Sequence, residues 1–199
     1  MSTAELIRQK VDELPAGQPF TPAAFLSIAE RSTVDKTLGR LVRAGLLTKP
    51  SRGVFARPKE SKFGLIPPEP MEVAIAKVHG ALVQVHGAEA ARRFGLSTQV
   101  PVRPVFYTTG RSCTFNVGKV PVRLQHVSPR KLVCPGTKVG MAISALWYLG
   151  KEQVNREIFE TLCSKLTPEE YAGLKAAAPQ MPCWMADGLH KYEKGRNNG

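Results

Sequence analysis

Residues 33–55, TVDKTLGRLVRAGLLTKPSRGVF, constrain the fold of this chain more than any other stretch. Val34, Leu38, Leu41 and Val42 recur at the spacing of a single helical stripe, so a helix here must lie against a core. At about 100° per residue, Thr33, Lys36, Arg40 and Arg43 fall on the opposite side. Gly39 flanks that side, where the missing side chain lets a ligand backbone approach closely. Gly45 is the expected stop. The following LLT, KPSRG and VFAR read as two short strands about a turn, with Lys49, Arg52 and Arg57 in or beside it.

Two further helices are expected upstream. Ser2 and Glu5 stand at capping-box spacing, and Ile7, Val11 and Leu14 follow at helical spacing until PAGQP breaks the chain. Thr21 and Pro22 suit an N-cap and first turn, predicting a second helix that buries Phe25, Leu26 and Ile28 and ends near Arg31. Ser32 and Asp35 then have capping spacing for the third helix. Three helices followed by a basic hairpin describe a winged helix-turn-helix. In that fold a positive third helix enters the DNA major groove while the wing's cations lie on phosphates. The alternative is a small helical domain whose charged face is merely solvated.

RPKESKFGLIPPEP, residues 57–70, holds four prolines and reads as a boundary. The expected organisation is a winged helix over 1–60, a linker over 61–70 and a second domain over 71–199 that folds and acts separately. Helices are predicted at Met71–Val78 and within GAEAARRFGL, with Gly95 at the end of the latter. VFYTT, CTFNV and VPVRLQHV alternate and predict a small antiparallel sheet. Helices over 141–149, 154–165, 168–178 and 184–192 complete the chain before a polar, frayed tail, KYEKGRNNG. The predicted class is α+β: an N-terminal winged helix-turn-helix, then a domain with a small antiparallel sheet and a helical tail.

Charge narrows the partners. The net charge of +12 is divided as +4 over residues 1–60, +8 over 61–138 and zero over 139–199. Basic surfaces attract polyanions, so nucleic acid leads, with a solubilising charge excess as the alternative. No apolar run approaches the roughly 18 residues that span a membrane, and MSTAELIRQKVDEL is too charged for a signal peptide. A cytoplasmic protein without membrane attachment is therefore expected. Cys113, Cys134, Cys163 and Cys183 fit no paired metal-ligand spacing and read as small buried hydrophobes.

Catalytic constellations are missing from the sequence. Nucleotidyl transfer uses closely spaced carboxylates to hold divalent metal, yet Asp12, Asp35 and Asp187 stand far apart. His79 and His86 are seven residues apart with no carboxylate or thiol to complete a metal set. GTKVG lacks the GK[ST] order of a phosphate-cradling loop, and no G-x-S-x-G elbow occurs. Trp147 and Tyr148 lie in an apolar helical run and read as core rather than as a base-stacking platform. The expectation is a non-enzymatic protein without cofactor or metal.

GAEAARRFGLSTQVPVRPVFYTTG, residues 87–110, resembles the AbiEi-type antitoxins of type IV toxin–antitoxin systems, in the branch related to DUF6088 proteins. The matching features are Ala90–Ala91, the GLSTQVP stretch from Gly95 to Pro101, Gly110, and the basic strand from Lys119 to Val127. RLVRAGLLTKPSRGVFARP is similar to the same family's recognition-helix end and wing, and the resemblance spans roughly residues 1–165. It implies an antitoxin that represses its own operon and opposes a nucleotidyltransferase-like toxin or guards that toxin's RNA substrate. DNA reading would then fall on Thr33, Lys36, Thr37, Arg40 and Arg43, with Lys49 and Arg52 on the wing. Two alternatives remain from the sequence. One is an RNA- or protein-binding module driven by the +8 middle segment. The other is a stand-alone winged-helix regulator with no antitoxin role.

Overall fold

The computed structural model describes residues 2–197 as a mixed α+β protein with eight α-helices and three small sheets among them. The chain divides into two compact units, one of residues 1–80 with 114–122 and the other of residues 81–113 with 123–199. The expected boundary at 60 thus lies inside the first unit. The segment expected to be a linker instead carries a hairpin, β4 (Lys59–Ser61) with β5 (Gly64–Ile66). Helix α3 (Pro70–Lys77) follows, and Val73 and Ala74 on it are fully buried. Among the described residues no helix is long and apolar enough to cross a membrane.

In the first unit, helix α1 (Thr3–Glu13) has the expected capping box. Ser2 N–H donates to Glu5 at 2.6 Å, and Glu5 N–H donates to Ser2 Oγ at 3.3 Å. Ile7 and Val11 are buried. Strand β1 (Pro19–Phe20) comes next, and the expected second helix is only a 3-10 turn at Pro22–Phe25. Phe25 is buried there, but Leu26 is exposed and Ile28 half-buried. After Phe25 the chain makes one more turn, Ile28 N–H donating to the Phe25 carbonyl at 2.9 Å and Ala29 N–H to the same oxygen at 3.3 Å, before Glu30 at ψ 150 breaks the helical path. Helix α2 runs Arg31–Arg43 with Glu30 as its N-cap, not Ser32. Arg31 holds both oxygens of Asp35, at 2.9 and 3.1 Å, so that carboxylate does not turn back to a cap. Strands β2 (Thr48–Ser51) and β3 (Val54–Ala56) form the hairpin, with β3 central in the order β1-β3-β2. Phe20, Phe25 and Phe55 close the core between this sheet and the helices.

The second sheet departs from the expected antiparallel form. It comprises β6 (Val83–Val85), β7 (Val105–Thr108), β8 (Cys113–Val117) and β9 (Val120–His126) in the order β6-β7-β9-β8. β6 pairs antiparallel with β7, but β7 and β9 are parallel. The chain passes β7, lays down β8 at the outside and returns beside β7 through the two-residue Gly118–Lys119 turn. Strand direction therefore repeats.

Helix α4 (Gly87–Arg93) packs on α5 (Lys138–Leu149) so closely that a Cβ on Gly87 would meet Tyr148 and the Ser144 carbonyl. α6 (Arg156–Cys163), α7 (Pro168–Ala176) and α8 (Cys183–Asn197) follow. The tail is helical through Asn197, anchored by Tyr192 stacked on Phe159 and by Tyr171 Oη donating to Glu193 at 3.2 Å. Residues 198 and 199 of that expected tail lie outside the described residues. Only Cys163 is buried as expected, which pushes its thiol up to about 11. Cys134 is half-buried, while Cys113 and Cys183 stand exposed at the first positions of β8 and α8. Tyr148 is exposed rather than core. Trp147 packs edge-on against Trp184.

Candidate nucleic-acid interface

Helix α2 is two-sided as the spacing predicts. Val34, Leu38 and Leu41 are buried, while Thr33, Lys36, Arg40 and Arg43 are exposed. Thr37 is the exception among the residues that the resemblance implied. It is buried, and its hydroxyl donates to the Thr33 carbonyl at 2.9 Å, so it cannot reach a ligand from this face. A Cβ added to Gly39 would meet nothing within 4 Å, which leaves open space beside the cations.

The helix ends as its glycine requires. Gly45 takes φ +73, Leu46 N–H donates to the Leu41 carbonyl at 3.0 Å, and Gly45 N–H to that of Val42 at 3.0 Å. This double bond pattern satisfies the last carbonyls and aims the chain into β2. Among the described residues no carboxylate lies within 4.0 Å of Lys36, Arg40 or Arg43, whereas Arg31 is spent on Asp35. Three unpaired cations on one exposed helix face make a surface suited to a polyanion.

The hairpin adds Lys49 and Arg52, both exposed. Arg52 and Gly53 form the turn closed by Ser51 and Val54, with Gly53 at φ +76. Lys49 Nζ stands 5.8 Å from the Phe55 ring centroid. Arg57, expected in or beside this turn, is committed elsewhere. Its Nη1 donates to the Asp12 and Leu14 carbonyls at 2.8 and 2.6 Å, capping the end of α1.

Sequence reasoning missed two lysines. Lys77 Nζ donates to the Arg52 carbonyl at 2.9 Å and lies 5.2 Å from the Phe115 ring centroid. Lys119 sits in the β8–β9 turn, where neighbouring Gly118 N–H donates to the Pro50 carbonyl at 3.0 Å. A GK turn between alternating runs was a visible hairpin signal, but nothing local tells which body the hairpin joins.

Three of the eight cations that the middle segment contributes to the second unit, Arg92, Arg93 and Lys138, are paired with carboxylates among the described residues. Glu89 receives Arg92 at 2.7 and 2.8 Å and Arg93 at 2.8 Å. The Arg92 bonds are the main reason its pKa falls to about 2. Lys138 pairs with Glu170 at 3.0 Å. His86 caps α4 by accepting from Ala88 N–H at 3.2 Å, and burial, assisted by Arg123, holds its pKa below 6.5. The GLSTQVP stretch is an exposed loop, in which Val100 is 74% and nearby Val102 104% exposed beside Arg103. Among the described residues, no group of three or more His, Cys, Asp or Glu is placed to hold a metal ion.

An exposed basic helix face and an adjoining basic hairpin make a positively charged surface, the kind of chemistry that suits a polyanion. The chain belongs to the DUF6088 family, a family of unknown function, whose sequence pattern matches residues 6–171. The crystal structure of the RV2827C protein from Mycobacterium tuberculosis is similar at 14% identity and a TM-score of 0.46, covering 95% of this chain and 81% of that one. That likeness is too loose to bear on function. No match is found among curated proteins.

Proposed function

We propose that this chain is a DNA-binding autorepressor and antitoxin, acting by binding rather than by catalysis, in the cytoplasm where operon DNA is accessible. Its first unit is read as a winged helix-turn-helix: α2 is the recognition helix, and the β2–β3 turn is the wing on the phosphate backbone. The observation that carries this reading is the exposed, unpaired set Lys36, Arg40 and Arg43, opposite the buried Val34–Leu38–Leu41 stripe. On the same helix Arg31 is held by Asp35, whereas among the described residues these three cations are left free for a ligand.

The second unit is read as the part that opposes a nucleotidyltransferase-like toxin. Support comes from the resemblance of GLSTQVP to AbiEi-type antitoxins and from the exposed valines in and beside that stretch. Contiguous exposed apolar surface marks protein-binding sites, and Val100 and Val102, two residues apart, are the apolar side chains this loop would offer to one.

The test is a gel shift on the DNA upstream of the chain's own gene at physiological salt. Arg40→Ala and Lys36→Ala should each cost about 1–3 kcal/mol in operator affinity and blur base preference. Unchanged binding in both variants removes α2 from the groove. Tight binding to transfer RNA with no operator shift favours the RNA-binding alternative.

A further inference from the structure

Residues 114–122 belong to the first unit although the sequence places them within the second domain. Phe115, Val117 and Val122 are buried, while Thr114, Asn116 and the whole stretch 118–121 are exposed. One side of the hairpin is therefore committed to packing and its tip is free. Gly118 takes φ +58 at the first turn position, a conformation that favours glycine. Its N–H donates to the carbonyl of Pro50, between Lys49 and Ser51 on the wing strand. Lys77 braces the same region by donating to the Arg52 carbonyl while lying over Phe115.

We propose that the β8–β9 turn is a second basic finger of the nucleic-acid interface, with Lys119 held beside the wing to contact a phosphate of the same duplex. The proposal rests on the DNA-binding reading of α2 and the wing. Lys119 is the only charged residue between 114 and 122, and among the described residues no carboxylate lies within 4.0 Å of it. A duplex carries one negative charge per about 1.7 Å of its axis, so a cation fixed next to a phosphate-contacting wing meets further phosphates. The Gly118–Pro50 bond supplies the fixing, since a backbone contact holds the turn while the lysine side chain stays free to reach. Part of the middle segment's positive charge thereby serves the DNA-binding unit.

The experiment follows the full-length chain by fluorescence anisotropy on its operator and on an unrelated duplex over a salt series. Lys119→Ala should make the slope of log K against log salt shallower by about 0.9 on both duplexes, as Arg52→Ala should. Lys119→Arg should restore the slope. Arg8→Ala, on α1 in a hollow lined by Glu5, Asp12 and Glu13, removes an equal charge and should leave the slope unchanged. An unaltered slope in Lys119→Ala beside a lowered one in Arg52→Ala overturns the second finger alone. So does a loss in Arg8→Ala as large as that in Lys119→Ala. Failure of the unaltered chain to bind any duplex overturns the DNA reading itself.

Discussion

A methyl group at Gly140 would fall on the carbonyl oxygens of Cys134 and Val133 and on Gln84 Nε2. Gly140 N–H also donates to Thr137 Oγ1 at 3.1 Å, and that hydroxyl donates to the Cys134 carbonyl at 2.7 Å. Two of the three colliding atoms are backbone and cannot swing away. Gly140→Ala should therefore lower stability by about 1–3 kcal/mol or more, seen as a drop in Tm by circular dichroism. The GTKVG stretch thus earns its second glycine through packing. Residue by residue, α2 was the most legible part of the chain. Thr37 was assigned to DNA reading and is buried instead; the signal against that assignment was its place in the Val34–Thr37–Leu38–Leu41 stripe, where a hydroxyl bonds its own helix. Leu26 was not readable: its exposure follows from where the 3-10 turn ends.

Helix α4 and its cap carry one source of acid sensitivity in this chain. Glu89 is held near 2, below its ordinary 4.5, so its paired carboxylate stabilises the fold above the unfolded pKa, and this is lost as pH falls from about 4.5 toward 2. His86 is held below 6.5, so the unfolded chain takes up a proton first as pH drops, which again favours unfolding. Both groups act in the same direction. Glu89→Gln should lower Tm near neutral pH and flatten the acid limb of the Tm–pH curve. The effect should stay at or below about 1 kcal/mol, because its arginines are 40% and 50% exposed and screened by solvent. At this scale the eight α-helices and the three alternating strands were legible from spacing, whereas the helix expected after Thr21 is a 3-10 turn and the cap expected at Ser32 falls at Glu30. The parallel β7–β9 pairing was not, since each strand alternates identically whichever way its neighbour runs. Strand β6 is only three residues long and buried throughout, so it offers no alternation to read.

For the whole molecule, the two compact units let the two roles proposed above be tested apart. In the full-length chain, Val102→Asp should leave the operator gel shift intact and abolish growth rescue when the cognate toxin is co-expressed. Arg40→Ala should do the reverse. Loss of both activities in either otherwise folded variant would mean that the two surfaces are not independent. The sequence marked the proline-rich stretch as the boundary, but prolines here flank a hairpin and start α3. The return of residues 114–122 to the first unit depends on a contact between residues 50 and 118, a separation at which no local pattern speaks. That contact also bears on how crowded chains behave. Strand β2 lies at the margin of its sheet, a place where an open ladder invites another chain to zip on. Pro50 offers no N–H there, its carbonyl is already occupied by Gly118, and the register shifts between Thr48 and Ser51. The β2–β3 hairpin therefore presents a broken ladder, and a second chain is denied the regular row of partners it would need to pair edge to edge with it.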